Sequence, residues 1–425
     1  MSGNREALSV LHISAWDNVG GAARAAYRLH TTLRRLGARS RMVVGWKATD
    51  DEDVSVIRDR RALWMLDRLC DKLSERLSLQ YCFYPSSMSL PRWPWVREAE
   101  VIQICNTHGG YFSHLALPAL SRMRPVVWRL DDMWPMTGHC IYSFECARWK
   151  TGCGSCPIVS DYPSLRRDRT ALLWRIKRRV YRRAPMTLVT PSRWMAGLAR
   201  ESPLLDQFPV EVIPNGLDLQ VFRPLPKRSA REVLGLDPDK RLVLFGAHVA
   251  SDRRKGAGLL ADALARLAHP SRSDVELLTI GRGSPDLDAS IPMPVRHLGP
   301  LQDDALLAAA YSAADVYLLP TLADNLPNTL IESMACGTPV VSFDVGGVAE
   351  AVRHLETGYL ARERDVEDFA GGLALLLDDP ALRASMGRRG REVAEREYSL
   401  ELQAQRFLGV YRQAIERHHA RVSGP

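Results

Sequence analysis

The sequence has no long hydrophobic run: nowhere do about 18 apolar residues follow one another, so a membrane-spanning helix is not expected. It also has no G-x-G-x-x-G pattern that follows an early strand and opens a helix, which argues against a dinucleotide-dependent oxidoreductase. No recognised nucleic-acid-binding motif is present, so nucleic acid is not an expected partner. The polar N-terminus, Met1 to Ala7, leads directly into a strand, which predicts a cytoplasmic protein without a signal peptide.

The excess of positive charge is concentrated in one segment. Arg166–Arg183 holds nine basic residues and one acidic residue, Asp168, while the net charge of the whole 425-residue chain is +8. The segment is predicted to be a helix with Leu172, Ile176 and Val180 on one face. The remaining faces carry Arg175, Arg178, Arg179 and Arg182. Such a helix is typical of peripheral contact with the anionic inner face of a membrane, or of a helix that simply faces water.

Four of the eight cysteines lie close together in the sequence. They are Cys140, Cys146, Cys153 and Cys156. In a cytosolic chain such a group indicates a structural zinc ion, because four thiolates complete a tetrahedral site. The spacing is not that of a standard zinc finger, so disulfide or redox pairing and unliganded thiols remain alternatives. Any metal here would hold a loop in place and would take no part in catalysis.

Short apolar strands alternate with helices along most of the chain, which predicts an α/β protein with parallel sheets. The predicted strands of the first half are Leu8–Ser14, Ser40–Gly45, Val101–Cys105, Val126–Leu130, Thr187–Thr190 and Val210–Ile213. Those of the second half are Leu242–Gly246, Val275–Ile280, Val295–Leu298, Val316–Leu319 and Val340–Phe343. The turn signal Pro214-Asn215-Gly216 lies between the halves. We predict two doubly wound, Rossmann-like domains facing each other across a cleft, over residues 1–213 and 214–398, followed by a C-terminal helix and tail over 399–425.

The most informative segment is residues 316–347, where a strand is followed by a polar loop and a helix. The helix is predicted to open near Leu326, with Asn325 as its cap and Pro327 in its first turn. Its N-terminus offers N–H donors and a positive dipole to a diphosphate. Glu332 is predicted roughly 10 Å further along the same face, where a carboxylate suits a ribose diol. Asp324, ahead of the helix, suits hydroxyl groups of a sugar.

This segment resembles the donor site of retaining group 1 (family 4) glycosyltransferases with the GT-B fold. Their signature is two acids separated by seven residues, here Asp324 and Glu332, with Asp at a position where Glu is more common. The resemblance implies that Arg254 and Lys255 neutralise the donor phosphates, with Lys255 as the main cation. It further implies that backbone at Gly20, Gly21, Gly281, Gly283 and Leu298 lines the donor site, together with Asn325 and Leu326.

In the first half the resemblance is looser. Residues 126–135 are similar to a stretch in which many relatives carry a His-Asp pair near the reacting sugar, but this chain has Asp131 and Asp132. Either acid, or His108, is a candidate for contact with the sugar. The stretch from Trp134 to Cys156 resembles a subgroup linked to bacterial exopolysaccharide assembly, of the colanic-acid type.

The resemblance implies an enzyme of the hexosyltransferase type. It would transfer a sugar from a nucleotide sugar to a glycan, a lipid-linked molecule or another hydroxyl acceptor, with retention of configuration and in surface polysaccharide biosynthesis. No cofactor or divalent metal is expected in catalysis, since no Asp-x-Asp motif occurs in a matching context. Because Asp131 and Ala247 depart from the family pattern, a catalytically silent nucleotide-sugar-binding protein is the alternative.

Overall fold

The computed structural model describes residues 7–58, 61–249, 252–269, 272–283 and 285–423. The chain divides into two compact units, with boundaries between Pro214 and Asn215 and between Leu400 and Glu401. The first boundary lies one residue from the one predicted from the turn signal. The segment from residue 401 onwards, most of the predicted C-terminal helix and tail, belongs to the first unit. Residues 1–6, on which the prediction of no signal peptide depends, lie outside the described residues.

The first unit contains a seven-stranded parallel sheet. Its strands are β1 (Ser9–Trp16), β2 (Arg39–Trp46), β3 (Val54–Val56), β4 (Val101–Ile104), β5 (Val126–Arg129), β6 (Thr187–Thr190) and β7 (Val210–Val212). Its helices are α1 (Gly21–Arg35), α2 (Arg61–Arg76), α3 (Pro85–Ser89), α4 (Pro94–Glu98), α5 (Leu117–Met123), α6 (Thr170–Tyr181) and α7 (Arg193–Glu201). The strand order is β3-β2-β1-β4-β5-β6-β7. The direction in which the chain adds strands therefore reverses between β1 and β4.

The second unit contains a six-stranded parallel sheet. Its strands are β8 (Arg241–Val249), β9 (Val275–Arg282), β10 (Val295–His297), β11 (Val316–Leu319), β12 (Val340–Phe343) and β13 (Gly358–Ala361). Its helices are α8 (Lys227–Val233), α9 (Ala257–Leu267), α10 (Pro285–Ser290), α11 (Asp304–Ala313), α12 (Asn328–Ala335), α13 (Val366–Asp378) and α14 (Pro380–Glu397). The order β10-β9-β8-β11-β12-β13 reverses between β8 and β11. Ligands of such sheets bind beyond the carboxyl ends of the strands at this switch point.

All eleven strands predicted from the sequence are present, with ends within three residues of those expected. The sequence analysis missed the short strands β3 and β13, each of which lies at one edge of its sheet. The last helix, α15 (Leu400–Val422), packs against the first unit. Its residues Phe407 and Tyr411 share a buried cluster with Val10 and Val127 of the first sheet. This contact explains why the C-terminal segment does not form a separate body.

The basic segment forms helix α6, but its apolar face differs from the predicted one. Leu173, Trp174 and Val180 are buried, whereas Leu172 and Ile176 are only partly covered. The buried apolar face of α6 therefore packs into the first unit. Arg175, Arg178, Arg179 and Arg182 are all exposed. Within the described residues, no helix combines the length and apolar character needed to cross a bilayer.

Candidate active site

The turn after β8 and the loop after β11 are joined by hydrogen bonds at the switch point of the second sheet. The backbone N–H of Leu322 donates to the carbonyl oxygen of Arg254 at 2.8 Å, and the Thr321 hydroxyl donates to the same oxygen at 3.0 Å. Because β8 and β11 are parallel neighbours, their carboxyl ends lie side by side. The pairing of strands thus brings together two segments that are almost 70 residues apart in the sequence.

Two glycines permit this close approach. Gly256 has φ +70°, and a Cβ atom there would lie 1.8 Å from the carbonyl oxygen of Pro320. Gly346 has φ +59°, and a Cβ atom there would lie 1.9 Å from the carbonyl oxygen of Asp324. At both positions the positive φ and the lack of room for a Cβ atom require glycine. The loop that carries Asp324 is therefore in close backbone contact with Gly256 at one point and with Gly346 at another.

A cluster of three charged side chains lies at this junction. Asp324 Oδ2 is 2.7 Å from Lys255 Nζ and 2.9 Å from Arg254 Nη1. Burial alone would raise the pKa of Asp324, but the two cations outweigh it and hold this pKa below its usual range. Burial also lowers the pKa of Lys255, against the opposing effect of Asp324. Arg254 Nη2 also lies 3.4 Å from Asp252 Oδ2, so two cations and two carboxylates meet here. Lys255 and Arg254 provide charged N–H donors of the kind that bind an anion.

Helix α12 starts later than predicted. It begins at Asn328, with Pro327 at the N-cap position and no side-chain cap, so Asn325 is not the capping residue. Glu332 therefore lies one turn inside the helix, roughly 6 Å along its axis from Asn328 and on the same face. The prediction of two turns was wrong, because Pro327 remains in extended backbone at ψ 133°. Near the start of α12, the Leu330 N–H donates to the carbonyl oxygen of Pro327 at 3.2 Å. The N-terminus of α12 follows Asp324 by four residues, and its dipole favours an anion there.

The remaining predicted donor-site residues in this unit take different positions. Glu332 is buried, and its Oε2 accepts a hydrogen bond from the Tyr311 hydroxyl at 3.1 Å. The Asn325 N–H donates to Asp324 Oδ1 at 3.2 Å. The side chain of Leu326 packs in the hydrophobic core, so this residue can contact a ligand only through its backbone. Sequence analysis missed Tyr311, since no local pattern connects it with an acid 21 residues further along the chain.

The backbone of Gly281, Gly283 and Leu298, which is predicted to line the donor site, lies at the ends of β9 and β10. Gly281 has φ +113°, and its N–H donates to the carbonyl oxygen of Gly299 at 2.9 Å. Gly283 follows β9 directly, and Leu298 follows β10 and packs against the core. These residues lie on the opposite side of β8 from Asp324. The side chain of Ala247, at the other position that departs from the family pattern, is outside the described residues.

In the first unit, two candidate sugar-binding residues, His108 and Asp132, lie within hydrogen-bonding distance although they are 24 residues apart in the sequence. His108 follows β4 and Asp132 follows β5, and His108 Nε2 lies 2.8 Å from Asp132 Oδ2. The other oxygen, Asp132 Oδ1, accepts the N–H of Trp134 at 2.8 Å. A His–Asp pair therefore forms at the carboxyl ends of neighbouring strands, although the sequence lacks adjacent His and Asp residues. At the switch point of the same sheet, Gly20 precedes α1 with φ +85°, and Gly21 is the first residue of the helix.

Asp131 has a different environment from Asp132. Its Oδ1 accepts hydrogen bonds from Nε of the buried Arg129 at 2.8 Å and from Nη2 of the same residue at 2.5 Å. Burial raises the pKa of Asp131, and Arg129 counteracts only part of that effect. Asp131 is thus held in an internal ion pair. This arrangement favours Asp132 of the two acids for contact with a sugar.

The four clustered cysteines line one cavity together with His139. Cys156 Sγ lies 3.3 Å from His139 Nε2, and the Gly138 N–H donates to Cys153 Sγ at 3.2 Å. Burial raises the pKa of Cys140 to about 12 and that of Cys153 to about 11, which favours the thiol form. Among the residues that the structure describes, no three Cys, His, Asp or Glu side chains are grouped so that they could hold a metal ion. The tetrahedral arrangement expected for zinc is therefore not formed by these side-chain positions.

Two family matches divide the chain between them. Residues 19–221 match the family described as Glycosyltransferase Family 4, and residues 239–379 match the family described as Glycosyl transferases group 1. The first match covers the larger part of the seven-stranded unit, and the second covers the six-stranded sheet with the Lys255–Asp324 cluster. Residues 19–221 and 239–379 are therefore similar to glycosyltransferase domains of family 4 and group 1. The predicted class, a glycosyltransferase, is confirmed.

Curated relatives are similar over part of the sequence. The D-inositol 3-phosphate glycosyltransferase of Thermobispora bispora is 34% identical over 225 residues, which are 50% of this chain and 52% of that protein. The enzyme of the same name from Segniliparus rotundus is 35% identical over 216 residues, which are 48% of this chain and 47% of that protein. The chain thus spans about half the length of the curated relatives it matches. Their names do not include the colanic-acid type that the sequence resemblance implied.

Solved structures are similar over almost the whole chain. Sucrose-phosphate synthase from Thermosynechococcus elongatus gives a TM-score of 0.67 at 20% identity, covering 96% of this chain and 100% of that one. Anabaena HepE in complex with UDP and glucose gives a TM-score of 0.69 at 17% identity, covering 95% of this chain and 99% of that one. At these identities the likeness concerns the fold. The predicted fold class, GT-B with two Rossmann-like domains, is confirmed.

Proposed function

We propose that this protein transfers a sugar from a nucleoside-diphosphate sugar to a hydroxyl acceptor. The observation that carries the proposal is the Lys255–Asp324–Arg254 cluster at the switch point of the second sheet, next to the opening of α12. The charged donors Lys255 and Arg254, together with the N-terminus of α12, suit a diphosphate. Asp324 offers carboxylate oxygens to sugar hydroxyls, and Glu332, one turn into α12, offers them to the ribose.

The proposed reaction keeps the anomeric configuration. The bond between the anomeric carbon and the diphosphate breaks, and a bond to the acceptor oxygen forms on the same face of the sugar. The acceptor proton passes to the leaving diphosphate oxygen, so no carboxylate has to act as a nucleophile. Lys255 and Arg254 stabilise the negative charge that grows on the diphosphate, and this assigns them the part that a divalent metal plays elsewhere.

Two classes of acceptor have support: an inositol phosphate, and a glycan or lipid-linked molecule. The curated relatives are named for D-inositol 3-phosphate, which supports an inositol phosphate as acceptor. The sequence resemblance supports a glycan or lipid-linked acceptor of surface polysaccharide biosynthesis.

HepE contains UDP and glucose, which supports a uridine nucleotide as part of the donor. In the first unit, the His108–Asp132 pair offers an imidazole and a carboxylate that suit the binding of sugar hydroxyl groups.

The proposed activity can be tested with a panel of nucleotide sugars. A true donor raises the midpoint of thermal unfolding by mass action, at about 2.7 kcal/mol of stabilisation for a concentration 100 times its Kd. We expect one donor to do so, and we expect release of nucleoside diphosphate when inositol phosphate or a lipid-linked glycan is added. Stabilisation without any turnover would favour a silent nucleotide-sugar-binding protein. If no nucleotide sugar stabilises the protein, the donor-site assignment is wrong.

Replacing Glu332 with glutamine should lower kcat/KM for the donor by at least about tenfold. The reason is that an NH2 group replaces one of the two carboxylate oxygens that accept hydrogen bonds from the ribose diol, and the negative charge is lost. Tyr311→Phe is the matched control, since it removes the hydrogen bond from the Tyr311 hydroxyl and leaves the Glu332 carboxylate in place. We expect the control to change kcat/KM by less than about threefold. Full activity in Glu332→Gln, or an equal loss in both variants, would remove the ribose assignment.

Structural zinc at the four cysteines stays a prediction. What supports it is that Cys140, Cys146, Cys153 and Cys156 line a single cavity. Binding would require the thiols to lose their protons and to move towards one another, and metal binding can supply the free energy for both changes. Elemental analysis of protein prepared without chelators should find about one zinc per chain, and serine at Cys153 and Cys156 should abolish it. Protein that folds fully without metal would contradict the prediction.

Contact with an anionic membrane also stays a proposal, as does cytoplasmic location at its inner face. The outward-facing arginines of α6 support electrostatic attraction to anionic lipid, worth about 1 kcal/mol for each basic residue near the surface. The buried apolar face of α6 cannot enter the lipid. Attachment of any strength therefore requires another apolar surface.

A further inference from the structure

Helix α2 is attached to the protein through its polar face, the reverse of an ordinary surface helix. Its buried residues are Asp67 and Ser74. Asp67 accepts hydrogen bonds from the Ser86 N–H at 3.0 Å and from Arg58 Nε at 2.9 Å. One turn further on, Asp71 accepts a hydrogen bond from the Tyr84 hydroxyl. These contacts hold α2 by the side that normally faces water.

The opposite face of α2 is apolar and exposed. It consists of Met65, Leu66, Leu69 and Leu73, followed one residue past the helix by Leu77. We name these five residues the α2 stripe. Leu69 and Met65 are 65% and 59% exposed, far more than leucine and methionine side chains usually are. The spacing of Met65, Leu69 and Leu73 places them in one row along the helix. The other exposed large apolar residues described in the structure are dispersed over many elements.

Basic residues border this stripe along one flank. They are Arg61, Arg68, Lys72 and Arg76. The acids of α2 have partners within the protein. Asp67 is buried, the exposed Asp71 accepts a hydrogen bond from the Tyr84 hydroxyl, and Glu75 pairs with Arg166 at 2.7 Å. The guanidinium of Arg68 lies 4.8 Å from the ring centre of Trp64. The outward charge next to the stripe is therefore positive, which complements an anionic surface.

We propose that the α2 stripe docks the protein on an anionic phospholipid surface. Leu69 and Leu73 enter the outer part of the acyl layer, while Arg68 and Lys72 extend to the phosphate groups. A second copy of the chain is the competing occupant of such an apolar face. In an antiparallel two-fold contact, however, the same basic flank of both copies would meet, and like charges would oppose association.

The test is co-flotation of the full chain with vesicles. Vesicles of phosphatidylethanolamine with phosphatidylglycerol should bind the wild-type protein, and pure phosphatidylcholine vesicles should bind it weakly. Salt should weaken the binding to anionic vesicles, because it screens the basic flank. The double variant Leu69→Gln, Leu73→Gln should bind the anionic vesicles at least about tenfold less, since two leucine side chains no longer leave water.

The matched control is Leu306→Gln with Leu375→Gln, which changes two exposed leucines of the second unit and should leave vesicle binding unchanged. Circular dichroism and thermal unfolding check that all variants are folded. Unaltered binding in the Leu69, Leu73 variant, or absence of wild-type binding to anionic vesicles, would overturn the proposal. A wild-type dimer that this variant converts to a monomer would assign the stripe to self-association instead. Neither readout uses the transfer reaction, so the outcome is independent of the proposed function.

Discussion

Lys255→Ala should lower the rate of sugar transfer by about a hundredfold or more, the usual consequence of removing one group that stabilises developing charge. Lys255 and Arg254 both contact Asp324 Oδ2, and Arg254 also pairs with Asp252 at 3.4 Å. Without Lys255 the two acids keep only Arg254 as a cation, and the leaving diphosphate loses the cation that Asp324 holds in position. The protein should stay folded, because Asp324 keeps Arg254 as a partner. Steady-state kcat and KM for the donor, with the Kd of the nucleoside diphosphate, measure the effect.

Arg253→Ala is the control for this prediction. Arg253 is the exposed basic residue two positions earlier in the same turn, so its removal changes the net charge of the chain by the same amount. We expect it to change the rate by less than about threefold, as for a surface charge. An equal loss of rate in both variants would show that the effect comes from the net charge of the protein, which attracts the anionic donor, and not from Lys255 in particular. Full activity of Lys255→Ala would contradict the assignment of the diphosphate to this cluster.

Gly256→Ala should destabilise the second unit by about 3 kcal/mol or more, since a left-handed conformation and a severe overlap act at the same residue. The added methyl group would lie 1.8 Å from the carbonyl oxygen of Pro320, and backbone on both sides would have to move. That movement would separate Lys255 from Asp324, so any folded fraction should also be impaired in transfer. Chemical denaturation monitored by circular dichroism, with the transfer rate of the folded protein, provides both measurements.

Gly258→Ala is the matched control, two residues later in α9. A Cβ atom there would meet no other atom within 4 Å. Alanine inside a helix should increase the free energy of unfolding by about 0.5–1 kcal/mol, because glycine loses more backbone entropy on folding. The same change from glycine to alanine is thus expected to lower the free energy of unfolding at Gly256 and to raise it at Gly258. If Gly256→Ala proved as stable as Gly258→Ala, the packing of the turn against the loop would be wrong.

The sequence predicted the class of fold because the signal is repeated. Each central strand is a short apolar run buried on both faces, such as Val316–Leu319 and Val340–Phe343. The short edge strands Val54–Val56 and Gly358–Ala361 were missed, since three or four residues with partly exposed positions have no distinctive pattern. The start of α12 was also misplaced, since a proline after a polar loop is compatible with the first helical turn and with the residue before it.

Local sequence by itself predicted the two acids of the proposed donor segment, because Asp324 and Glu332 lie within one loop and one helix. Tertiary structure alone decided their partners. Lys255 reaches Asp324, and His108 reaches Asp132, only because parallel neighbouring strands end at the same edge of a sheet. Only the tertiary structure also decided which face of α2 is buried. An amphipathic pattern defines two faces of a helix, but the hydrogen bonds and the ion pair made by Asp67 and Asp71 turned the polar face inward and left the apolar face outside.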